Sequence, residues 1–251
     1  MNQGRREKIV EMVNQRNTIS NEDIMREFEV SIETVRRDLA YLEERGMLER
    51  VYGGAVKKRF MSVEPKYLNR ESVNPTQKQV IAKRAEKLIS NGQTVFFDLG
   101  TTVQIVADLL AQDKKITAFT NSLRTAISLA DKNQNVILTG GKVRGGEYSV
   151  SGSISEDCMA DYNVDIAIIG VGGITEDGVT DFIIDEARLR SKVIKSAQKV
   201  VALADFSKIG VKAPCKVCAL QDVNVFITDD KAPQEIIKKL EKSGVQVIVA
   251  K

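Results

Sequence analysis

The sequence predicts an α/β protein of two domains, a small helical domain followed by a larger domain with a parallel sheet. The first sixty residues contain three short amphipathic segments and then two short runs around Gly53 and Gly54. Beyond Gln77, seven apolar runs alternate with helical segments, a pattern typical of a buried parallel sheet. The segment around Pro65 has no sustained periodicity. We therefore place the domains at residues 1–57 and 76–251, with a linker at 58–75.

The N-terminal segment carries the start and stop signals of three helices. Ser20, with Asp23 three residues later, resembles a capping box that begins the second helix. Ser31 is the N-cap candidate of the third helix, and Gly46 is expected to end it. The runs on either side of Gly53 predict a hairpin. Helix, helix, turn, helix and hairpin together predict a winged helix-turn-helix.

The third helix points its charged residues away from its apolar stripe. Winding "SIETVRRDLAYLEERG" at 100° per residue aligns Ile32, Val35 and Leu39 and places Arg37 on the opposite side. In a helix-turn-helix this helix enters the major groove of DNA. The predicted contacts are Ser31, Glu33, Thr34 and Arg37 toward base edges, Arg36 toward the backbone, and Arg50, Lys57 and Lys58 on the wing toward phosphates. The alternative is a solvated face whose arginines pair with Glu33 or Tyr41.

Composition excludes several classes of chemistry. The net charge of +3 is too small to indicate nucleic-acid binding by itself. Without histidine, the chain has no His-based general base, Ser-His-Asp triad or His-ligated metal. At the lone CxxC of 215–218, zinc would need further ligands that only Cys158 or carboxylates could supply, so we interpret these cysteines as incidental thiols. We expect no metal, no cofactor and no catalytic residue, and reduced thiols. The absence of a long apolar run or a signal peptide predicts a cytoplasmic protein without a membrane partner.

One strand end of the second domain has the features of an anion site. "TVFFDLGTTVQIVADLL" indicates a buried strand, a glycine turn at Gly100 and a helix that begins at Thr101 and Thr102. Hydroxyl groups and the free N–H groups of a helix start favour an anion. Other strand ends are small or polar and would share this edge: Asn121, Ser122, Gly140, Gly141, Gly172 and Asp205. The alternative is that these residues only form tight turns and caps.

The chain resembles a known family. "VSIETVRRDLAYLEERGMLERVYGGA" resembles the N-terminal signature of DeoR-type bacterial repressors of sugar metabolism, and "DLGTT", "TNS", "GGKVR" and "DFSKIG" resemble that family's effector domain. The resemblance implies a second domain similar to the ribose-5-phosphate isomerase superfamily that senses a phosphorylated sugar. It also implies the ligand-binding residues: Asp98, Gly100, Thr101 and Thr102, with Asn121, Arg144 and Lys208 lining the site.

The other possible function is a sugar-phosphate isomerase fused to a DNA-binding module. Isomerisation needs a carboxylate base beside the substrate carbon. In "GVGGITEDG" the first carboxylates, Glu176 and Asp177, come late, although Asp181, Asp185 and Glu186 are near. We favour a binding domain without catalysis. The sequence thus predicts a transcriptional repressor of a carbohydrate operon whose partners are double-stranded operator DNA and a phosphorylated sugar. A dimer or tetramer is expected, because one winged motif covers only a half-site.

Overall fold

The computed structural model describes residues 2–45, 47–56 and 61–251, and the chain divides into two compact units, Met1–Met61 and Ser62–Lys251. The first unit contains α1 (Asn2–Arg16), β1 (Thr18–Ser20), α2 (Asn21–Phe28), α3 (Ile32–Glu44), β2 (Glu49–Val51) and β3 (Gly54–Val56). The predicted three helices and hairpin are therefore present. Gly46, Lys57 and Lys58 lie outside the described residues, so their predicted roles stay predictions.

The helix starts of the first unit form as the sequence predicts. The Ser20 hydroxyl accepts a hydrogen bond from the Asp23 backbone N–H at 3.0 Å, and the Asp23 carboxylate accepts one from the Ser20 backbone N–H at 3.5 Å. These two bonds are the predicted capping box. The Ser31 hydroxyl accepts from the Thr34 N–H at 3.4 Å and so caps α3. The core beneath these helices contains Ile9, Val10, Val13, Ile19, Ile24, Val35, Leu39, Leu42 and Leu48.

The hairpin gains a third strand that the sequence analysis does not predict. β1 pairs antiparallel with β3, which gives the order β1-β3-β2. Gly54 lies opposite Ser20 in this pairing. A Cβ added to Gly54 would lie 2.0 Å from the backbone oxygen of Ile19, so only glycine allows the two strands to approach this closely.

The second unit begins with α4 (Tyr67–Glu71) and α5 (Pro75–Glu86). Next come β4 (Thr94–Phe97), α6 (Thr101–Leu109), β5 (Thr117–Thr120), α7 (Leu123–Asp131), β6 (Asn135–Leu138), β7 (Lys142–Arg144), β8 (Ser149–Ser151), α8 (Ser153–Ala160) and β9 (Val164–Gly170). The chain continues through β10 (Gly173–Thr175), β11 (Gly178–Asp181), α9 (Ile184–Ser196), β12 (Ala197–Leu203), β13 (Cys215–Cys218), β14 (Val225–Asp229), α10 (Gln234–Lys242) and β15 (Gln246–Ala250).

A seven-stranded sheet forms the centre of the second unit. Its order is β15-β14-β12-β9-β4-β5-β6, and every neighbouring pair is parallel. The seven strands are the seven apolar runs of the sequence. Side chains alternate between two apolar clusters, so Phe96 packs with α9 and α10 on one face, while Val95 and Phe97 pack with α5 and α6 on the other. Burial on both faces explains why these strands are nearly continuously apolar.

Three features of the second unit differ from the sequence prediction. An antiparallel sheet β10-β11-β13 and a hairpin β7-β8 stand beside the parallel sheet. In addition, α4 lies inside the predicted linker, and its Tyr67 side chain is buried. These strands have only three or four residues each, too few to produce a periodic signal. Across the described residues, no helix is both long enough and apolar enough to cross a membrane.

We expect the Gly54→Ala substitution to loosen the first unit selectively. The added methyl group would collide with the Ile19 carbonyl, and overpacking of this kind costs about 1–3 kcal/mol. Hydrogen exchange of peptides from 18–56, measured by mass spectrometry, should then accelerate about tenfold to a hundredfold.

Gly53→Asn is the matched control. Gly53 has a φ of +83° with open space around it, and asparagine adopts that conformation more readily than other side chains. Its exchange should stay close to wild type. Equal exchange rates in the two variants would show that the β1–β3 approach does not require glycine.

Candidate DNA interface and ligand site

The outward face of α3 carries the predicted DNA contacts. Val35, Leu39 and Leu42 are buried, whereas Arg36 and Arg37 are exposed. Ser31 and Glu33 are also exposed, and Thr34 is partly exposed. In the described part of the chain neither Arg36 nor Arg37 forms a salt bridge; the Nε–H of Arg37 donates a hydrogen bond of 3.4 Å to the Glu33 carbonyl oxygen. Both guanidinium groups are therefore available to a ligand outside the domain.

A buried carboxylate fixes α3 against α1. Asp38 is 2% exposed and accepts hydrogen bonds of 2.6 Å from the Nε atoms of both Arg5 and Arg6. Arg6 also lies over the Tyr41 ring at 3.7 Å, as does Arg45. Tyr41 thus contacts Arg6 and Arg45, not the outward-facing pair Arg36 and Arg37. These contacts hold the helix with its arginine pair toward solvent.

The wing is only partly described. Arg50 lies on β2, where its backbone N–H donates to Glu43 Oε1 at 3.0 Å and its guanidinium lies 3.8 Å from Glu43 Oε2. Its charge is therefore partly balanced by a carboxylate of α3. Lys57 and Lys58 fall outside the described residues, so the structure places neither.

The strand order of the parallel sheet indicates a candidate ligand-binding edge. From β4 the chain proceeds outward through β5 to β6, then returns to β9 and proceeds in the opposite direction through β12 and β14 to β15. Neighbouring strands from which the chain departs in opposite directions define a topological switch point, and ligands of open α/β sheets bind beyond the carboxyl ends of those strands. In this sheet such a crevice would lie between the loops that follow β4 and β9.

The loop after β4 presents helix amides to this crevice. Gly100 has a φ of +135°, and a Cβ added to it would meet no atom within 4 Å. It occupies the N-cap of α6, so no side chain caps the first-turn N–H groups. Thr101 and Thr102 follow with their hydroxyl groups. Uncapped helix amides beside open space form a favourable environment for an anion.

Asp98 is engaged within the protein. Its Oδ2 accepts a hydrogen bond of 2.5 Å from Arg190 Nε and one of 3.1 Å from the Gly170 N–H. Arg190 also pairs with Asp181, and all three charged side chains are buried. Burial raises the pKa of Asp98, and the Arg190 guanidinium opposes that rise. Asp98 therefore joins the ends of β4 and β9, whereas the resemblance implies direct ligand contact.

Asn121 follows β5 at the same edge. The residue is 1% exposed, and among the described residues its Oδ1 atom has no hydrogen-bond partner. The neighbouring Ser122 caps α7 through its hydroxyl. Buried polar atoms are normally paired, so the Asn121 oxygen keeps an unused capacity to accept a hydrogen bond.

Arg144 is held by carboxylates. Its guanidinium forms two bonds with Glu186, of 2.8 and 2.9 Å, and one of 2.7 Å with Glu64. Glu147 lies 3.9 Å away, and Arg70 pairs with both Glu64 and Glu147. We call Glu64, Arg70, Arg144 and Glu147 the ionic ring. In this structure the Arg144 charge is compensated, whereas the resemblance implies that it lines the ligand site.

Two lysines lie near the end of β12. Lys208 ends the short turn Phe206–Lys208, and Lys78 lies on α5, where its ammonium donates to the Arg70 carbonyl oxygen. Burial lowers the pKa of Lys208, and it lowers the pKa of Lys78 to about 8; Asp205 opposes both shifts. In the described ranges neither lysine forms a salt bridge. The sequence analysis misses Lys78 because it shares the buried face of a helix with Ile81.

The carboxylates considered for catalysis have other partners. Glu176 lies 3.0 Å from Lys239, and Asp177 lies 2.9 Å from Lys212, both on the surface. Glu186 is bound by Arg144 and by the Ser149 hydroxyl at 2.9 Å. Burial raises the pKa of Glu186 to about 7. Asp181 is bound by Arg190, which it shares with Asp98, and Asp185 is exposed, so the described carboxylates near the switch point are engaged by basic side chains.

Solved structures and curated proteins resemble the chain to different degrees. Ribose 5-phosphate isomerase A from Methanocaldococcus jannaschii aligns with a TM-score of 0.40 and 18% identity over 54% of this chain and 55% of that one. The HTH-type transcriptional regulator GolR of Listeria innocua is 35% identical over 98% of each chain. The HTH-type transcriptional regulator GlpR of Haloferax volcanii is 36% identical over 97% of this chain and 96% of that protein.

A third regulator and two family models also match the chain. The glycerol-3-phosphate regulon repressor of Escherichia coli K12 is 31% identical over 95% of each chain. These relatives are named as transcriptional regulators or as a regulon repressor, so the isomerase alternative is not favoured. The DeoR-like helix-turn-helix domain matches residues 5–59, and the DeoR C terminal sensor domain matches residues 73–230. The chain belongs to the DeoR family of helix-turn-helix transcriptional regulators.

Proposed function

We propose that the protein represses a carbohydrate-metabolism operon and that a phosphorylated sugar, bound at the switch point between β4 and β9, controls its affinity for operator DNA. The observation that carries the proposal is the uncapped start of α6 beside the open space at Gly100. A relative named as a glycerol-3-phosphate regulon repressor supports a phosphorylated effector. The protein would act in the cytoplasm, where its operator is.

The DNA-binding proposal rests on the exposed arginine pair of α3. Arg37 is suited to a guanine edge, because its planar fork matches the O6 and N7 acceptors. Arg36 and the wing residues Arg50, Lys57 and Lys58 would contact phosphates, which provide register and salt-dependent affinity but no sequence information. One such domain covers a short half-site, so we propose a homo-oligomer, a dimer or tetramer, on repeated or palindromic sites.

The effector proposal assigns different parts of one ligand to different groups. Its phosphate would accept hydrogen bonds from the first-turn N–H groups of α6 and from Thr101 and Thr102, with Lys208 near. A sugar hydroxyl would donate to the unpaired Asn121 oxygen. Gly100 would give the phosphate room to approach, and Asp98 would position the loop through Arg190 and Gly170.

We expect Arg37→Ala and Lys57→Ala to weaken DNA binding in different ways. Loss of a bidentate arginine should cost about 1–3 kcal/mol and relax the preference at one base pair. Loss of the lysine should weaken binding to all sequences alike and flatten the salt dependence. Titration of cognate and singly mismatched duplexes at several salt concentrations measures both effects.

Lys238→Ala is the control for loss of one positive charge outside the first unit, since Lys238 is exposed on α10. It should leave both affinity and specificity unchanged. Equal, sequence-independent losses for Arg37→Ala and Lys57→Ala would contradict base readout by Arg37.

We expect Thr101→Val to weaken effector binding without affecting DNA binding in the absence of effector. The change keeps the shape of the side chain and removes a hydroxyl, and a hydrogen bond to a charged group is worth about 1.5–3 kcal/mol. The affinity should therefore fall about tenfold to a hundredfold. A thermal-shift screen of sugar phosphates identifies the ligand, and calorimetric titration then measures the loss.

Thr117→Val makes the same chemical change at the opposite edge of the sheet, where β5 begins. It should bind the effector as wild type does. If Thr101→Val also binds normally and still responds to the ligand on DNA, the phosphate does not lie at α6.

A further inference from the structure

We infer that Lys78 is an effector-binding residue, which together with Lys208 holds the anionic group of the ligand between the N-termini of α5 and α6. The inference rests on the proposed function, because it assumes that the effector carries a phosphate or a group of similar charge. Lys78 lies on a helix and not at a strand end, so the inference extends the proposed site from α6 to α5.

The position of Lys78 places its ammonium at the ligand-binding edge. Lys78 lies in the first turn of α5, and Asn74, the residue just before this helix, donates from Nδ2 to Asp205 Oδ1 at 2.9 Å. Asp205 follows β12 directly, so this bond attaches the start of α5 to the carboxyl end of that strand. α5 and α6 also pack in the same apolar cluster on one face of the sheet. The two helices therefore begin side by side above the crevice.

The charge of Lys78 lacks an acidic partner in the ligand-free protein. The side chain is 95% buried, since its residue is 5% exposed, yet over the described residues no carboxylate lies within 4.0 Å of its ammonium. One of its donors is satisfied by the Arg70 carbonyl oxygen. Burial of a charge with so little compensation is costly, and a bound anion would offset that cost.

Two cationic and two anionic side chains act on the charge of Lys78. Lys208 and the Arg70 guanidinium act on it as like charges, whereas Asp205 and the exposed Glu71 act as opposite charges. Asp205 already accepts hydrogen bonds from Asn74 and Ser207, and Arg70 belongs to the ionic ring. Asp205 is the largest opposite charge acting on both lysines, and a dianionic group between them would add further acceptors for their ammonium groups.

The start of α5 adds further donors. Asn74 is the N-cap of α5 but its side chain is turned toward Asp205, so no side chain caps the helix. Pro75 has no N–H, and the next amides of the first turn remain available. The uncapped helix start and the buried ammonium, whose partner among the described residues is the Arg70 carbonyl oxygen, are separate observations, and both favour an anion at the same place.

Lys78→Met separates this role from a purely structural one. Methionine matches the length of the lysine stem and removes the charge. Because the charge is uncompensated without ligand, the melting temperature of the ligand-free variant should equal or exceed that of wild type. Its affinity for inorganic phosphate, used as the probe, should fall about tenfold to a hundredfold, as for the loss of a charged hydrogen bond. Thermal shift and calorimetry at constant ionic strength, with chloride as the reference, measure both.

Lys83→Met is the matched control, because Lys83 is exposed on the same helix. It should retain both the wild-type stability and the wild-type response to phosphate. A second measurement uses only wild-type protein: phosphate should slow the reductive methylation of Lys78 relative to Lys83, as quantified by peptide mass spectrometry. This keeps the inference testable if the Lys78→Met protein does not fold.

The outcomes distinguish this inference from the proposed function. Suppose that phosphorylated ligands bind and that Thr101→Val weakens their binding. If phosphate then does not protect Lys78 from methylation, and phosphate binding does not require Lys78, only the proposed role of Lys78 is wrong. A Lys78→Met protein that melts well below wild type and keeps its phosphate response assigns the lysine to structure alone. If neither phosphate nor any sugar phosphate binds wild type, both proposals fail.

Discussion

The buried pairing of Arg190 with Asp98 and Asp181 is the interaction on which the ligand-binding edge depends. It joins α9, the end of β4 and the end of β11, and Asp98 also binds the Gly170 N–H at the end of β9. Removal of one member of such a network leaves a buried charge without a partner, which costs about 3–5 kcal/mol. The network therefore attaches the ends of the two hydrogen-bonded strands of the switch point to α9 and β11. The position of the Gly100 loop follows from it.

At this edge of the sheet, some basic side chains are paired with carboxylates and others are not. Where the hairpin β7-β8 approaches the edge, Arg144 is paired with Glu64 and Glu186. Where α5 and α6 begin, Lys78 and Lys208 have no carboxylate partner within the described residues. An anion gains little where an arginine is already paired, because it must displace a carboxylate. It gains most where buried ammonium groups lack one.

The sequence predicts the parallel sheet well because burial on both faces makes its strands long apolar runs. The hairpin β7-β8 and the strand β1 are too short for such a signal, and β1 exists because Gly54 allows close pairing. For the site, "DLGTT" identifies the loop after β4, but the partners of Arg144 lie 42 and 80 residues away. Lys78 is hidden by its helical register with Ile81. The surroundings of Arg144 and of Lys78 both depend on tertiary contacts, which cannot be read from the sequence pattern.

Arg70 connects the ligand-binding edge to the segment that follows the DNA-binding unit. Its carbonyl oxygen accepts from the Lys78 ammonium, and its guanidinium pairs with Glu64 and Glu147 in the ionic ring. Glu64 belongs to the residues that directly follow the first unit, which ends at Met61. An anion that takes the Lys78 ammonium would compete with the Arg70 carbonyl for the same donor. Arg70 would thus lose a contact on ligand binding, and the same residue anchors the segment that follows the DNA-binding unit. A ligand can shift the equilibrium of that segment only through such a difference in contacts.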